Sequence, residues 1–168
     1  MANDKTLILN AIQIRNRINR IAYQIYEDNF EEKEIVIAGI VSSGYELAKR
    51  VKSVLKKIAP FEVQLLKIII DKKNPLKNDI KLDVKPASLK GKTVIIVDDV
   101  MNSGKTMAYA IQPFLQIAVK KVRTVVLVDR DHKAFPVSAD FFGISLATTI
   151  QEHVIVDFSP GNDEVYLT

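Results

Sequence analysis

Apolar residues first recur at helical spacing. Ala11, Ile14, Ile18, Ile21, Ala22 and Ile25 share one face of a helix predicted over about 10–29. Asn10 followed by Gln13 has the pattern of a capping box at its start. The pattern then changes to shorter apolar-rich runs, unbroken at 94–97 and interrupted by Glu62, Gln64 and Lys67 in the second. Glu34–Ile40, 61–70, 94–97 and 124–128 are predicted as strands. A run that is apolar at every position suits a central parallel strand covered on both faces better than a half-exposed one. Helices are predicted after the first run, to about residue 58, and after the third, to about residue 118, with Pro113 kinking or breaking the latter. Phe141–Leu146, 154–156 and 164–167 are shorter strand candidates. Strands alternating with helices predict an α/β fold, a single domain over 1–168 with a mainly parallel central sheet flanked by helices.

One stretch breaks the rhythm. Residues 71–86 are polar, lysine-rich and interrupted by proline, which predicts a mobile loop or an extended hairpin. The 168 residues suffice for a full core, and 48% hydrophobic with 26% charged residues is ordinary globular composition. No apolar run approaches a membrane span and the N-terminus lacks the apolar core of a secretion signal. Zero cysteines exclude disulfides and cysteine metal sites and fit a cytoplasmic protein. A net charge of +4 is compatible with a small polyanionic substrate or with RNA, and selects neither.

The richest chemistry lies at 92–106, Lys-Thr-Val-Ile-Ile-Val-Asp-Asp-Val-Met-Asn-Ser-Gly-Lys-Thr. Asp98 and Asp99 fall where a buried strand emerges at the carboxyl edge of the sheet, the edge at which open α/β folds bind ligands. The turn from Ser103 to Thr106 supplies amides, hydroxyls and a helix N-terminus, the parts of a phosphate cradle. Gly104-Lys105-Thr106 also looks like the end of a P-loop, but the leading glycine of that pattern would fall at 99, which is Asp99. Acids beside a phosphate cup suit a sugar phosphate, the carboxylates accepting hydrogen bonds from a diol while amides hold the anion. That requires Asp98 and Asp99 to face a cavity beside residues 103–106 rather than to be spent in an ion pair.

This segment resembles the signature of type I phosphoribosyltransferases: an apolar run, two aspartates, an apolar residue, two variable residues, then Thr/Ser-Gly-x-Thr/Ser. The resemblance implies the type I fold with a small hood built from the N-terminus, about 130–153 and the C-terminus, and a flexible lid at about 70–86. It implies displacement of pyrophosphate from phosphoribosyl pyrophosphate by a nucleobase, through a cation-like state in which orientation and charge neutralisation do the work. By position, Asp98 and Asp99 are the catalytic acids on the ribose hydroxyls. Met101, Asn102, Ser103, Gly104, Lys105 and Thr106 hold the 5′-phosphate. Ser42, Ser43 and Gly44 form the pyrophosphate loop, and Lys72 and Lys73 lie in the lid, where a lysine can meet the leaving group. Asp129, Arg130, Phe141 and Phe142 are the candidates for base binding, an aromatic ring stacking on the base. Mg2+ is expected to arrive on the substrate with no dedicated protein site. His132 and His153, without partners at metal spacing, are read as structural.

From about residue 7 onward the chain is most similar to the pyrimidine-operon regulators of this family, which bind messenger RNA and have uracil phosphoribosyltransferase activity. Arg20-Ile21-Ala22, Leu47-Ala48-Lys49-Arg50 and Val126-Leu127-Val128-Asp129-Arg130 carry the likeness, with His132, Pro136 and Ala139-Asp140. Uracil is therefore the expected base and a homodimer the expected assembly. The chain departs from that branch in three places. Ser42-Ser43-Gly44 stands where Thr-Arg-Gly is usual, and Ile70-Asp71-Lys72-Lys73 where Tyr-Arg-Asp-Asp is usual. A lysine is not equivalent to an arginine fork at a phosphate. Ser138 and Ile144 replace residues that tend to be basic, which weakens the case for RNA. Two alternatives to the enzyme stay open: an RNA-binding regulator using Arg15, Arg17, Arg20 and Lys133, and a non-catalytic nucleotide-binding relative.

Overall fold

The computed structural model describes residues 5–149 and 151–168, so the first four residues of the expected hood and position 150 lie outside the described residues. Its elements are β1 (Thr6–Leu9), α1 (Ala11–Asp28), β2 (Glu34–Ile40), α2 (Ser43–Ile58), β3 (Glu62–Ile69), β4 (Lys81–Leu82), β5 (Thr93–Met101), α3 (Lys105–Leu115), β6 (Lys121–Arg130), β7 (Phe141–Leu146), β8 (Val154–Ser159) and β9 (Asn162–Leu167). A six-stranded sheet runs in the order β4-β3-β2-β5-β6-β7, parallel except for the antiparallel β3–β4 pair.

Alternation along the central strands splits the core into two layers. Ile95 and Val97 of β5 point into the layer with Ile14, Ile18 and Ile21 of α1 and Leu47, Val51 and Leu55 of α2. Val94 and Ile96 point to the other face, where Met107, Ala110 and Phe114 of α3 cover them. The continuous apolar runs are thus explained by helices on both faces. The Asn10–Gln13 capping box is present, each side chain accepting from the other residue's backbone N–H. At Gly39, a Cβ would sit 2.6 Å from the Tyr45 Cα, so the close seating of α2 on β2 requires glycine there.

Several boundaries differ from expectation. The signature strand does not stop at the acids: β5 stays paired with β6 through Val100 and Met101, whereas its pairing with β2 ends at Val97. α3 ends at Leu115, two residues beyond Pro113, which cannot donate to the preceding turn. The strand at β1 has no counterpart in the periodicity, because four residues are too few to show alternation. It is ordered by pairing with β9. β8 and β9 run longer than their apolar segments because Pro160-Gly161 closes them into a hairpin, Gly161 at φ 81°. Together β1, β9 and β8 make a three-stranded antiparallel sheet, with Leu9, Val156 and Val165 buried in the α1/α2 layer. Residues 71–86 contain the second strand of a short hairpin, with Ile68 opposite Leu82. Ile80, Leu82 and Val84 pack on the α3-side core, and the Asp71 carboxylate accepts from the Lys73 and Asn74 amides.

Candidate active site

The topology opens one edge of the central sheet. α2, following β2, packs on one face, while α3, following β5, packs on the other. Adjacent parallel strands whose connections leave on opposite faces part at their carboxyl ends, and ligands bind in that crevice. Here the parting starts just after the Gly39–Val97 pair, so the next β5 residue, Asp98, is the first to face it. The Val41-Ser42-Ser43-Gly44 turn closes the opposite side, and its Val41–Ser42 peptide is cis. Gly44 is pressed against β5: a Cβ there would lie 2.8 Å from the Asp98 Cα, the Asp98 Oδ1 and the Val97 carbonyl.

A cavity of about 220 Å³ occupies the crevice, lined by Lys72, Asp98, Val126 and the stretch from Val100 to Met107. It holds all six residues expected at a 5′-phosphate. Gly104 has φ 80°, the left-handed conformation that turns β5 into α3, and a Cβ there would meet nothing closer than 3.5 Å. Conformation, not space, therefore demands glycine. The Ser103 hydroxyl accepts from the Lys105 amide at 3.3 Å, and the Ser103 carbonyl accepts from Ala134 and Phe135 at 2.9 and 3.0 Å. The loop after β6 thus pins the turn. The opening amides of α3 have no partner within the helix and point with its dipole toward the cavity, which suits an anion.

The acids behave differently from each other. Asp98 is 3% exposed, and its Oδ1 accepts from the Lys72 ammonium at 2.7 Å and from the Asp99 amide at 3.0 Å. Asp99 is less enclosed and its Oδ1 is 3.5 Å from the same ammonium. Burial pushes the Asp98 carboxyl up to about 8, repulsion from Asp99 adds to this, and Lys72 opposes it. Burial works to lower the pKa of Lys72, but the Asp98 and Asp99 carboxylates outweigh it and the net direction is up. Asp98 therefore faces the cavity as expected, but it is also held in an ion pair, against the requirement set out from the sequence. The partner is a partly exposed lysine from the turn after β3 and not a core residue, so the pair borders the cavity instead of closing it. Lys72 was expected to await pyrophosphate and instead rests on the acids. Asp99, Lys73, Ser42, Ser43 and Gly44 do not line the cavity, so of the two signature acids only Asp98 borders it.

A second cavity, about 570 Å³, adjoins the first through Asn102 and Ser103 and is bordered by Arg130, Asp131, His132 and Lys133. Arg130 is buried and its guanidinium is fully engaged with the protein, donating to Asn102 Oδ1 (2.9 Å), Thr148 Oγ1 (2.8 Å) and the Thr149 carbonyl (2.9 Å). Asp129 pairs with Lys133. Each nitrogen of the Arg130 guanidinium thus has one acceptor within the protein, and Arg130 borders the cavity while Asp129 is held by Lys133. Neither Phe141 nor Phe142 borders either cavity. Phe141 packs on the α1/α2 layer, and Phe142 sits on β7, two strands from the acids. A Phe-Phe pair in an edge strand reads equally well as a stacking platform and as packing; Phe141 packs, while Phe142 is exposed. His132 is structural as expected, its Nε2 lying 2.5 Å from the Thr148 carbonyl. Thr148 and Thr149, which hold Arg130, carry no motif that would have singled them out. The basic surface proposed for RNA is also reduced. Arg20 donates to the Phe142 and Gly143 carbonyls at 3.0 and 2.6 Å, and Lys133 is tied to Asp129.

Among the described residues no cluster of three or more His, Asp or Glu side chains is arranged to hold a metal. None of their helices is long and apolar enough to cross a membrane.

Known proteins share these features. The profile of the phosphoribosyl transferase domain matches residues 6–160. The "bifunctional protein PyrR" of Lactococcus lactis subsp. cremoris is 32% identical over 167 residues, 95% of each chain. The protein of that name from Chloroflexus aurantiacus is 32% identical over 177 residues, covering 99% of this chain and 96% of its own. Among solved structures, the hypoxanthine phosphoribosyltransferase of Trypanosoma cruzi superposes with a TM-score of 0.79 at 19% identity, covering 96% of this chain and 95% of that one. A hypoxanthine-guanine phosphoribosyltransferase of Bacillus anthracis gives 0.69 at 22%, over 84% and 82%. At such identities the structural matches establish the fold, while the profile and the relatives establish descent. With its Asp98-Asp99 strand end, glycine turn and crevice in place, the chain belongs to the phosphoribosyltransferase family, enzymes that transfer a pentosyl group.

Proposed function

We propose that the crevice between β2 and β5 binds phosphoribosyl pyrophosphate and that the chain transfers its phosphoribosyl group to a nucleobase, uracil being the first candidate, with release of pyrophosphate. The observation that carries this reading is that the signature acid Asp98 and the turn at the start of α3 line one cavity. In it the amides and hydroxyls of Ser103, Gly104, Lys105 and Thr106 hold the 5′-phosphate, with Met101 and Asn102 leading into the turn. Asp98 and Asp99 receive the ribose hydroxyls and face the positive charge that develops on the ring as the bond to pyrophosphate lengthens. The leaving group lies toward Ser42, Ser43 and Gly44, of which Gly44 abuts Asp98. The base enters the second cavity, which joins the first at Asn102 and Ser103. Paired carboxylates offer hard oxygens suited to Mg2+, which keeps most of its water and is carried in by the substrate.

In this reading the β1-β9-β8 sheet, the segment about 130–153 and the C-terminus form the hood, and residues 70–86 the lid. The active assembly is a homodimer in the cytoplasm. Incubation with phosphoribosyl pyrophosphate, Mg2+ and a panel of bases should release pyrophosphate with uracil. Silence with every pyrimidine and purine would end the proposal.

A second reading has one observation in its favour: a Lactococcus lactis relative, 32% identical, is named a pyrimidine operon regulatory protein. Its test is filter binding to pyrimidine-leader RNA across a salt series. Phosphate contacts predict an affinity that falls steeply with salt. The internal commitments of Arg20 and Lys133 weigh against it.

A further inference from the structure

The ammonium of Lys72 occupies the position at which the signature acids would meet a diol. It stands 2.7 Å from Asp98 Oδ1 and 3.5 Å from Asp99 Oδ1. Asp98 is almost fully enclosed, so an uncompensated charge there is costly and the carboxylate needs a cation or a hydrogen-bonding ligand. Lys72 itself is only partly enclosed, with 36% of its side chain exposed. It comes from the turn after β3, within the span that carries the β3–β4 hairpin. The same Asp98 oxygen that it holds is the one against which Gly44 is pressed. One Asp98 oxygen therefore touches the lysine head and abuts Gly44 of the loop, which sets Lys72 near both candidate subsites.

That loop has no guanidinium of its own, having serine at 43. Lys49 and Lys67 lie over the ring of Tyr45 beside that loop, whereas Lys72 is the lysine that is also paired with Asp98. Moving Lys72 onto that anion would free Asp98 and Asp99 to accept a diol. Without the anion, the diol must displace an ammonium from a low-dielectric pair, an exchange of a charged partner for neutral hydroxyls.

We infer that Lys72 is a specificity-determining residue that makes binding of a pentose 5-phosphate at the acids conditional on an anion at the Ser42–Gly44 loop. The inference rests on the transferase reading above and adds to it a preference for ligands that bring both groups together. A sugar phosphate lacking the pyrophosphate meets occupied acids. One that carries it supplies the lysine with a new partner as it binds.

The test is the coupling between ribose 5-phosphate and pyrophosphate, titrated separately and together by calorimetry. Metal is omitted, so that no shared divalent cation can link the two ligands. In the wild type, saturating pyrophosphate should tighten ribose 5-phosphate about tenfold, within the usual range of coupling between sites. Lys72→Gln should bind ribose 5-phosphate more tightly than the wild type in the absence of pyrophosphate, and the coupling should vanish. Lys72→Arg, which keeps the charge, should retain coupling. Equal coupling in the wild type and Lys72→Gln overturns the inference. Should Lys72→Gln not fold, the wild type decides by sign. Two anions in neighbouring sites repel, so tightening supports the lysine exchange, and weakening or indifference overturns it. A wild type that binds phosphoribosyl pyrophosphate with Mg2+ yet lacks coupling sinks only this inference, whereas one that binds none of the three ligands, with Mg2+ as without it, sinks the transferase reading as well.

Discussion

The guanidinium of Arg130, at the end of β6, donates to the side chain of Asn102 at 2.9 Å, and its other bonds go to Thr148 and Thr149. One buried side chain thus ties the entrance of the phosphate turn to the loop that follows β7. Three contacts converge on a planar fork that a lysine cannot reproduce.

Arg130→Lys should therefore weaken binding of ribose 5-phosphate or of the full substrate while leaving the fold intact. Arg130→Ala should cost about 2–4 kcal/mol of stability, because it strands the Asn102 oxygen and the Thr149 carbonyl without donors. Thermal denaturation of both variants, paired with substrate affinity, checks this. An Arg130→Lys protein with wild-type affinity would remove the positioning role.

Asp99 is the less enclosed acid and the one less closely held by Lys72. If it faces the developing charge on the ring, Asp99→Asn should lower kcat by about 100-fold or more, the scale of a lost electrostatic contact, with little change in Tm. Steady-state turnover with the best base from the panel measures it, and unchanged turnover contradicts the assignment.

Asp98 predicts a pH dependence of stability. Its carboxyl is pushed up to about 8 in the folded protein, first by burial and then by Asp99, against an ordinary value of 3.8. A group raised on folding binds its proton more tightly in the native state. Its contribution is complete below pH 4 and is lost as pH rises toward 8. Asp98→Asn removes that loss. The Tm of the variant relative to the wild type should therefore climb between pH 4 and pH 8 and level off above. A difference that is flat over this range, or that falls, is the contrary result.

Gly44 and Gly104 separate two reasons for glycine. Gly44→Ala would place a methyl 2.8 Å from the backbone of Asp98 and from the Val97 carbonyl, so the start of α2 has to move off β5. Overpacking of that kind costs about 1–3 kcal/mol and should displace the pyrophosphate loop, with loss of activity. Gly104→Ala meets no atom closer than 3.5 Å, but φ 80° costs it about 1–2 kcal/mol. Denaturant unfolding of both and a crystal structure of Gly44→Ala would show whether the steric and conformational penalties divide in this way.

The sequence by itself was enough for the layers and for the place of the site. Runs apolar at every position can only be strands covered twice, and acids followed by a glycine turn at the end of such a run can only fall at the carboxyl edge of a parallel sheet. The Asn10–Gln13 cap was equally legible, because its partners are three residues apart. What tertiary structure decided involves partners far apart in the chain. Lys72 meets Asp98 across 26 residues, Arg130 meets Thr148 across 18, and Arg20 reaches Phe142 across 122. The strand β1 is likewise ordered only by β9, at the other end of the chain. Local spacing records backbone preference and which side faces the core. It does not record which distant charge will neutralise a buried one, because that depends on where the closed fold brings the two together. Tertiary structure therefore determined that Asp98 is held by Lys72, and that the buried Arg130 ties Asn102 to Thr148 and Thr149.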